Sequence, residues 1–266
     1  MRTYHQLTDP DRSGLAEQIG AQRKRVAARL AAVRRIVAVM SGKGGVGKSY
    51  VTAHLARGLA RAGRSVGVLD ADLNGPTIPG LLRDSDARRR THESPEPARG
   101  MDGVKYVSMG QFLEEGSPLA FTGPAAESFV WRGAMEASAL REFLSDVEWG
   151  ELDVLLFDLP PGMQRYIELC DILGNAPAVL TVTIPTPESR DAVRRAMRAA
   201  VDHGSALLGI VENMVGQQFS GSAAEDLSKE FDTPVLARIP WHPPLETWDT
   251  FASRISDARR TTDDAR

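Results

Sequence analysis

Eight residues, Gly42-Lys43-Gly44-Gly45-Val46-Gly47-Lys48-Ser49, restrict what this chain can fold into more than any other stretch. They satisfy the G-x-x-x-x-G-K-[ST] spacing of a phosphate-binding loop. Such a loop works only between a buried strand and a helix, and both flanks fit. Ile36-Val37-Ala38-Val39-Met40 is a short apolar run rich in β-branched residues, and from Tyr50 to Arg61 the residues Val51, Leu55 and Leu59 recur at helical spacing. Glycine permits backbone conformations closed to residues with a Cβ, so successive N–H groups converge on phosphate oxygens. The helix N-terminus adds partial positive charge. Lys48 is placed to neutralise terminal phosphates and Ser49 to offer a hydroxyl to Mg²⁺.

The rest of the chain alternates strands and helices around that loop. Ser65–Asp70 reads as a second buried strand, ending in Asp70-Ala71-Asp72-Leu73-Asn74-Gly75-Pro76-Thr77-Ile78-Pro79. Carboxylates at the C-terminal end of such a strand sit over the ligand crevice, so Asp70 and Asp72 are both expected to flank a bound Mg²⁺–nucleotide. Arg83–Arg99 is charged and proline-punctuated, as an exposed loop is. Val104–Ser108 is a short strand, and a helix is expected over Glu136–Val147. Val154-Leu155-Leu156-Phe157-Asp158 is an apolar strand ending in a carboxylate, which suits a Mg²⁺ shell. Further strands are expected at Ala178–Ile184, Leu207–Met214 and Pro234–Pro240, with a helix at Glu188–His203. The pattern predicts an α/β fold: a doubly wound, mostly parallel sheet with helices on both faces.

The domain plan follows from composition. Residues 1–35 form a polar segment leading into a helix expected from Ser13 to Arg35, with Ser13 as its cap. Residues 36–256 form the P-loop domain, and 257–266 a charged tail. Between Ala21 and Arg35 lie six basic residues and no acidic one. Such a helix can lie on an anionic membrane or on the nucleoid, or it can pack on its own domain with a solvated face. Its alanine- and valine-rich apolar side, which lacks large anchors, favours packing. A net charge of −3 argues against a globally basic nucleic-acid binder. No apolar run is long enough to span a bilayer, and Met1–Pro10 lacks the apolar core of a signal peptide, so a cytoplasmic protein is expected. The one cysteine, Cys170, excludes an intramolecular disulfide and any metal site needing two cysteines of one chain.

Lys43 narrows the class. An ordinary phosphate loop needs only Lys48, yet this one reads K-G-G-V-G-K-S. Lys43 can be a solvated loop lysine. Together with other blocks, however, it resembles the deviant Walker A ATPases, the group of MinD, ParA, the nitrogenase iron protein and the Mrp proteins. The resemblance is to the Mrp/ApbC branch and runs from about Ile36 to Pro244. It rests on Ser41–Ser49, Asp70–Pro79, Trp131–Gly133, Trp149–Asp153, Asp158–Gly162 (D-L-P-P-G) and Gly209–Met214 (G-I-V-E-N-M). It implies an ATP-hydrolysing, Mg²⁺-dependent homodimer that binds and delivers iron–sulfur clusters. Lys43 would reach the nucleotide of the other subunit, Asp72 would orient the attacking water, and Asp158 would hold the Mg²⁺ shell with Ser49 and Asp72. Asn213 would read the adenine beside the loop residues Gly42 to Tyr50.

The departures from that branch bear on function. Cluster carriers have C-x-x-C after the E-N-M block, where this chain has Val215-Gly216-Gln217-Gln218-Phe219-Ser220. Tyr50 replaces a usual threonine, and Met163-Gln164-Arg165 replaces T-G-D. Thiolates are the usual ligands of such clusters, so an iron–sulfur cluster on this chain is not expected. Two functions follow from the resemblance. One is an ATPase that assists iron–sulfur or other metallocofactor assembly on a client protein or assembly factor. The other is a MinD/ParA-like positioning or scaffold ATPase that uses its basic helix on membrane or nucleoid. A nucleotide-binding protein with degraded hydrolysis is a third.

Overall fold

The computed structural model describes residues 15–72, 75–83, 96–108, 140–216 and 221–257. The expected cap at Ser13, the Trp131–Gly133 block, the start of the helix expected from Glu136, residues 217–220 and the tail beyond Asp257 lie outside them.

Eight strands form one sheet in the order β3-β4-β2-β5-β1-β6-β7-β8. They are β1 (Ile36–Met40), β2 (Val66–Asp70), β3 (Ala98–Arg99), β4 (Lys105–Ser108), β5 (Val154–Asp158), β6 (Ala178–Thr183), β7 (Leu207–Val215) and β8 (Val235–Pro240). Every pairing is parallel except β3 with β4. β1 lies in the interior, between β5 and β6. The central strands are buried on both faces, so they read as continuous apolar runs and not as an alternation.

Helices cover both faces. Val37 and Val39 of β1 point to one side, into a core with Val51, Leu55 and Leu59 of α2 (Lys48–Arg61) and Trp248, Phe251 and Ile255 of α8 (Leu245–Asp257). Ala38 and Met40 point to the other, against α1 (Leu15–Leu30), α4 (140–145) and α5 (Gln164–Leu173). A third cluster joins α6 (Pro187–Asp202) to α7 (Ala223–Phe231) through Val193, Met197, Ala224 and Leu227. The short α3 (Ile78–Leu82) follows β2.

Two glycines are required for these approaches. A Cβ on Gly42 would collide with the backbone of Ala192 and Val193 in α6. A Cβ on Gly58 would lie 2.9 Å from the Trp248 carbonyl oxygen, so that glycine lets α8 lie close on α2.

The N-terminal helix is shorter than expected. It ends at Leu30, and the Val33 N–H donates to the Leu30 carbonyl at 2.9 Å. Val33 then forms a parallel bridge with Leu152, so residues 31–35 lead into the sheet and do not continue the helix. Val26 and Leu30 are buried in the core. Arg29 pairs with Glu148 and Arg34 with Asp153, each at 3.0 Å. Val26 and Leu30 of the expected apolar face therefore pack within the domain. Among the described residues no helix is long and apolar enough to cross a membrane.

Candidate functional site

The parallel register carries the C-terminal ends of β1, β2, β5 and β7 to one edge of the sheet. There the loop after β1 meets the carboxylates that end β2 and β5. Asp70 and Asp158 are register partners on adjacent strands, which places the two acidic groups side by side.

Asp158 is fully buried and accepts three hydrogen bonds from α2. Lys48 Nζ donates at 2.6 Å and Thr52 Oγ1 at 3.0 Å to Oδ1, and Ser49 Oγ donates at 2.5 Å to Oδ2. Thr52 Oγ1 lies 2.9 Å from the Lys48 carbonyl, one helical turn back. Burial of the lysine–aspartate pair is tolerable because each charge has its partner and Asp158 accepts two further hydrogen bonds. The structure thus brings Lys48, Ser49 and Asp158 together. Thr52 was missed, although its position four residues after Lys48 puts it on the same helix face.

Asp70 departs from expectation. It is turned inward and fully buried, with both carboxylate oxygens already engaged within the protein. Its Oδ1 accepts from the Asp72 N–H at 3.2 Å, and its Oδ2 from the Ile78 N–H at 3.2 Å and Ser108 Oγ at 2.9 Å. Burial pushes this carboxyl up to about 7, the nearby Asp158 charge adds to the rise, and the three hydrogen bonds oppose it. Asp70 therefore ties the loop carrying Asp72 to the end of β4. Asp72 itself remains half-buried, its Oδ1 accepting from the Gly75 N–H at 3.2 Å. Among the described residues no three His, Cys, Asp or Glu side chains converge as a preformed metal site. The hydroxyl of Ser49 and the carboxylate of Asp158, in contact with each other, are hard oxygen donors that fit Mg²⁺.

Asn213 reaches across from β7. Its Nδ2 donates to the Val46 carbonyl at 2.9 Å, leaving Oδ1 as the free acceptor of a nearly buried carboxamide. A Cβ on Gly47, whose φ is 78°, would strike that amide, so the glycine serves both loop turn and amide approach. Gly44 and Gly45 are exposed, and Val46 is buried in the core. Lys43 is half-buried, accepts from Ser41 Oγ through its carbonyl at 3.0 Å, and has no ion pair among the described residues.

Tyr50 is engaged elsewhere. Its ring lies 4.1 Å from that of His54 and 5.5 Å from that of Trp248, between α2 and α8. Met163 occupies the N-cap position of α5, Gln164 donates to Glu168 at 3.0 Å, and Arg165 pairs with Glu168 at 2.5 Å. Cys170 lies farther along α5, half-buried, its thiol pushed up by burial while the Tyr166 hydroxyl opposes the shift. The segment after Asn213 belongs to a different element.

A glycine loop between a central parallel strand and a helix, closed by a buried lysine–aspartate pair with a serine hydroxyl upon it, defines a P-loop nucleotide-binding protein. Residues 32–262 match the ParA family described as NUBPL iron-transfer P-loop NTPase. The chain is 36% identical over 241 residues to "Cytosolic Fe-S cluster assembly factor CFD1" of Chaetomium globosum, covering 80% of this chain and 76% of that one. It is 39% identical over 227 residues to "Iron-sulfur cluster carrier protein" of Mycobacterium leprae, covering 79% of this chain but 56% of that longer protein. Among solved structures, a nucleotide-binding protein from Archaeoglobus fulgidus in complex with ADP matches at TM-score 0.65 and 32% identity. That match covers 88% of this chain and 93% of the other. This chain belongs to the ParA/NUBPL family of iron-transfer P-loop NTPases.

Proposed function

We propose that this protein is a Mg²⁺-dependent, homodimeric ATPase that serves iron–sulfur or other metallocofactor assembly on a client protein without carrying the cluster on its own cysteines. The observation that carries the nucleotide half of this reading is the Lys48–Asp158–Ser49 cluster beneath the glycine loop. The assembly half is supported by relatives whose names describe cluster assembly and carriage.

Each residue has a physical task. The loop N–H groups and Lys48 hold the β- and γ-phosphates, and the α2 N-terminus adds its dipole. Ser49 and Asp158, with Asp72 through water, would hold Mg²⁺, which neutralises developing charge on the phosphate oxygens. Asp72 accepts a hydrogen bond from the attacking water and orients it in line. Lys43 reaches the nucleotide of the second subunit, which makes hydrolysis depend on dimerisation. Asn213, its orientation fixed by the Val46 carbonyl, offers Oδ1 to the amino group of adenine. A [4Fe–4S] cluster takes four thiolates, and the single cysteine of this chain gives a dimer only two. The cluster is therefore the client's, and the nucleotide cycle acts on the client's conformation or cofactor.

Steady-state turnover in wild type and Asp72→Ala tests the hydrolytic reading. The variant should bind ATP and turn over about 10²- to 10⁴-fold more slowly. Equal turnover removes Asp72 from the mechanism. Anaerobic reconstitution with iron and sulfide tests the cargo reading. The protein should stay colourless, and a stoichiometric cluster lost on Cys170→Ser would return it to the carrier class.

A further inference from the structure

β7 holds a left-handed residue where a chain ordinarily places glycine. Met214 has φ of 57°, a conformation that crowds the Cβ against its own backbone. The ladder explains the site of this strain. Asn213 faces Ile239 and Val215 faces Pro240, so Met214 is the extra residue of a bulge between β7 and β8.

That bulge changes which side chains can share a face. In a regular strand neighbouring residues point to opposite faces. Here Asn213 and Met214 reach the same spot on the phosphate loop. A Cβ built on Gly47 would meet Asn213 Nδ2 first and Met214 Cε next, at 3.4 Å. One residue earlier the strand is held firmly the other way. The buried Glu212 accepts from the Ala224 N–H at 3.0 Å and from Arg238 at 3.3 Å. Between that anchor and the loop, the left-handed residue directly follows the carboxamide that donates to Val46. Strain of this kind persists where the surroundings over-determine it, and it marks a position with a task.

We propose that Met214 is a positioning residue for base recognition: its left-handed backbone sets the Asn213 carboxamide so that Oδ1 faces the substituent at C6 of the purine. This rests on the reading of Asn213 as the adenine contact. It adds that discrimination depends on a backbone conformation and not on the size of the Met214 side chain. The ligand class selected is a 6-amino purine nucleotide over a 6-oxo one.

The test compares dissociation constants of the full chain for ATP, ITP and inorganic pyrophosphate by calorimetry. ATP and ITP differ at C6, and pyrophosphate reports the phosphate loop alone. Wild type should prefer ATP over ITP by about tenfold, the worth of one hydrogen bond. Met214→Gly and Met214→Asn, which tolerate positive φ, should keep that preference within about threefold. Met214→Ala should fall between, and Met214→Val should lose the preference while pyrophosphate affinity stays level across the series. Should the valine variant not fold, the glycine–asparagine–alanine order carries the test. A preference that follows side-chain volume, with glycine as poor as valine, overturns the proposal, as does pyrophosphate binding that weakens in step with ATP binding. Asn213→Ala separates the two readings. If it keeps the wild-type preference, the adenine assignment itself falls, and loss of pyrophosphate binding in Lys48→Ala shows the phosphate site standing.

Discussion

His54 lies one helical turn after Tyr50, its Nδ1 2.9 Å from the Tyr50 carbonyl and its ring tilted against those of both Tyr50 and Trp248. Burial lowers its pKa from the ordinary 6.5, and Arg57 and Arg61 lower it further, while the Tyr50 carbonyl opposes them. A lowered folded value means that the unfolded chain takes up the proton first. The stability from this site is complete above pH 6.5 and is lost as pH falls through 6.5 toward the folded value. Melting measured from about pH 7.5 down to about pH 5.5 should fall less steeply in His54→Phe than in wild type. Parallel slopes would show that His54 is not a source of the acid sensitivity. At this scale the phosphate loop was legible because its chemistry is local: glycines, lysine and serine follow one another in the chain. Asp70 was not. Its inward turn depends on Ser108 and Ile78, which a parallel crossover and the short connection from β2 to α3 bring back to it. Spacing alone assigned it to the ligand.

Gly42 shows the same lesson between elements. As a residue it reads as the first glycine of the loop, yet its lack of a Cβ also lets α6 lie against the loop. Helix backbone cannot move aside as a side chain can. Gly42→Ala should therefore cost about 3 kcal/mol in urea denaturation with an unchanged m-value. A loss confined to nucleotide affinity, at full stability, would mean that α6 gives way. Strands with apolar runs were legible in the sequence to within a residue or two, since two-sided burial writes itself as Val, Leu and Ile. The two-residue β3 and the five-residue α3 were not foreseen. Both are too short to establish a period, and their existence depends on β4 and β2 beside them. The end of α1 was missed for a related reason. Ala31 and Ala32 suit a helix, yet residues 32–34 pair with Leu152 instead.

At the scale of the whole molecule the question is how many chains make one working unit. Lys43, free of ion pairs among the described residues and superfluous to its own phosphates, gives the specific expectation. Light scattering should shift from monomer toward dimer with ATP or a non-hydrolysable analogue. Lys43→Ala should retain ATP binding and lose hydrolysis. A monomer at every nucleotide state and concentration would remove the second subunit from the chemistry. The sheet order has a consequence of another kind, in the time a ribosome needs to make the chain. Lys48 and its partner Asp158 are 110 residues apart, and β1 finds both its neighbours only when β5 and β6 have been made. At about 5–20 residues per second, that leaves the glycine loop without its carboxylate for on the order of ten seconds. During that interval both hydrogen-bonding edges of β1, an all-apolar strand, stand unpaired and open to the wrong neighbour.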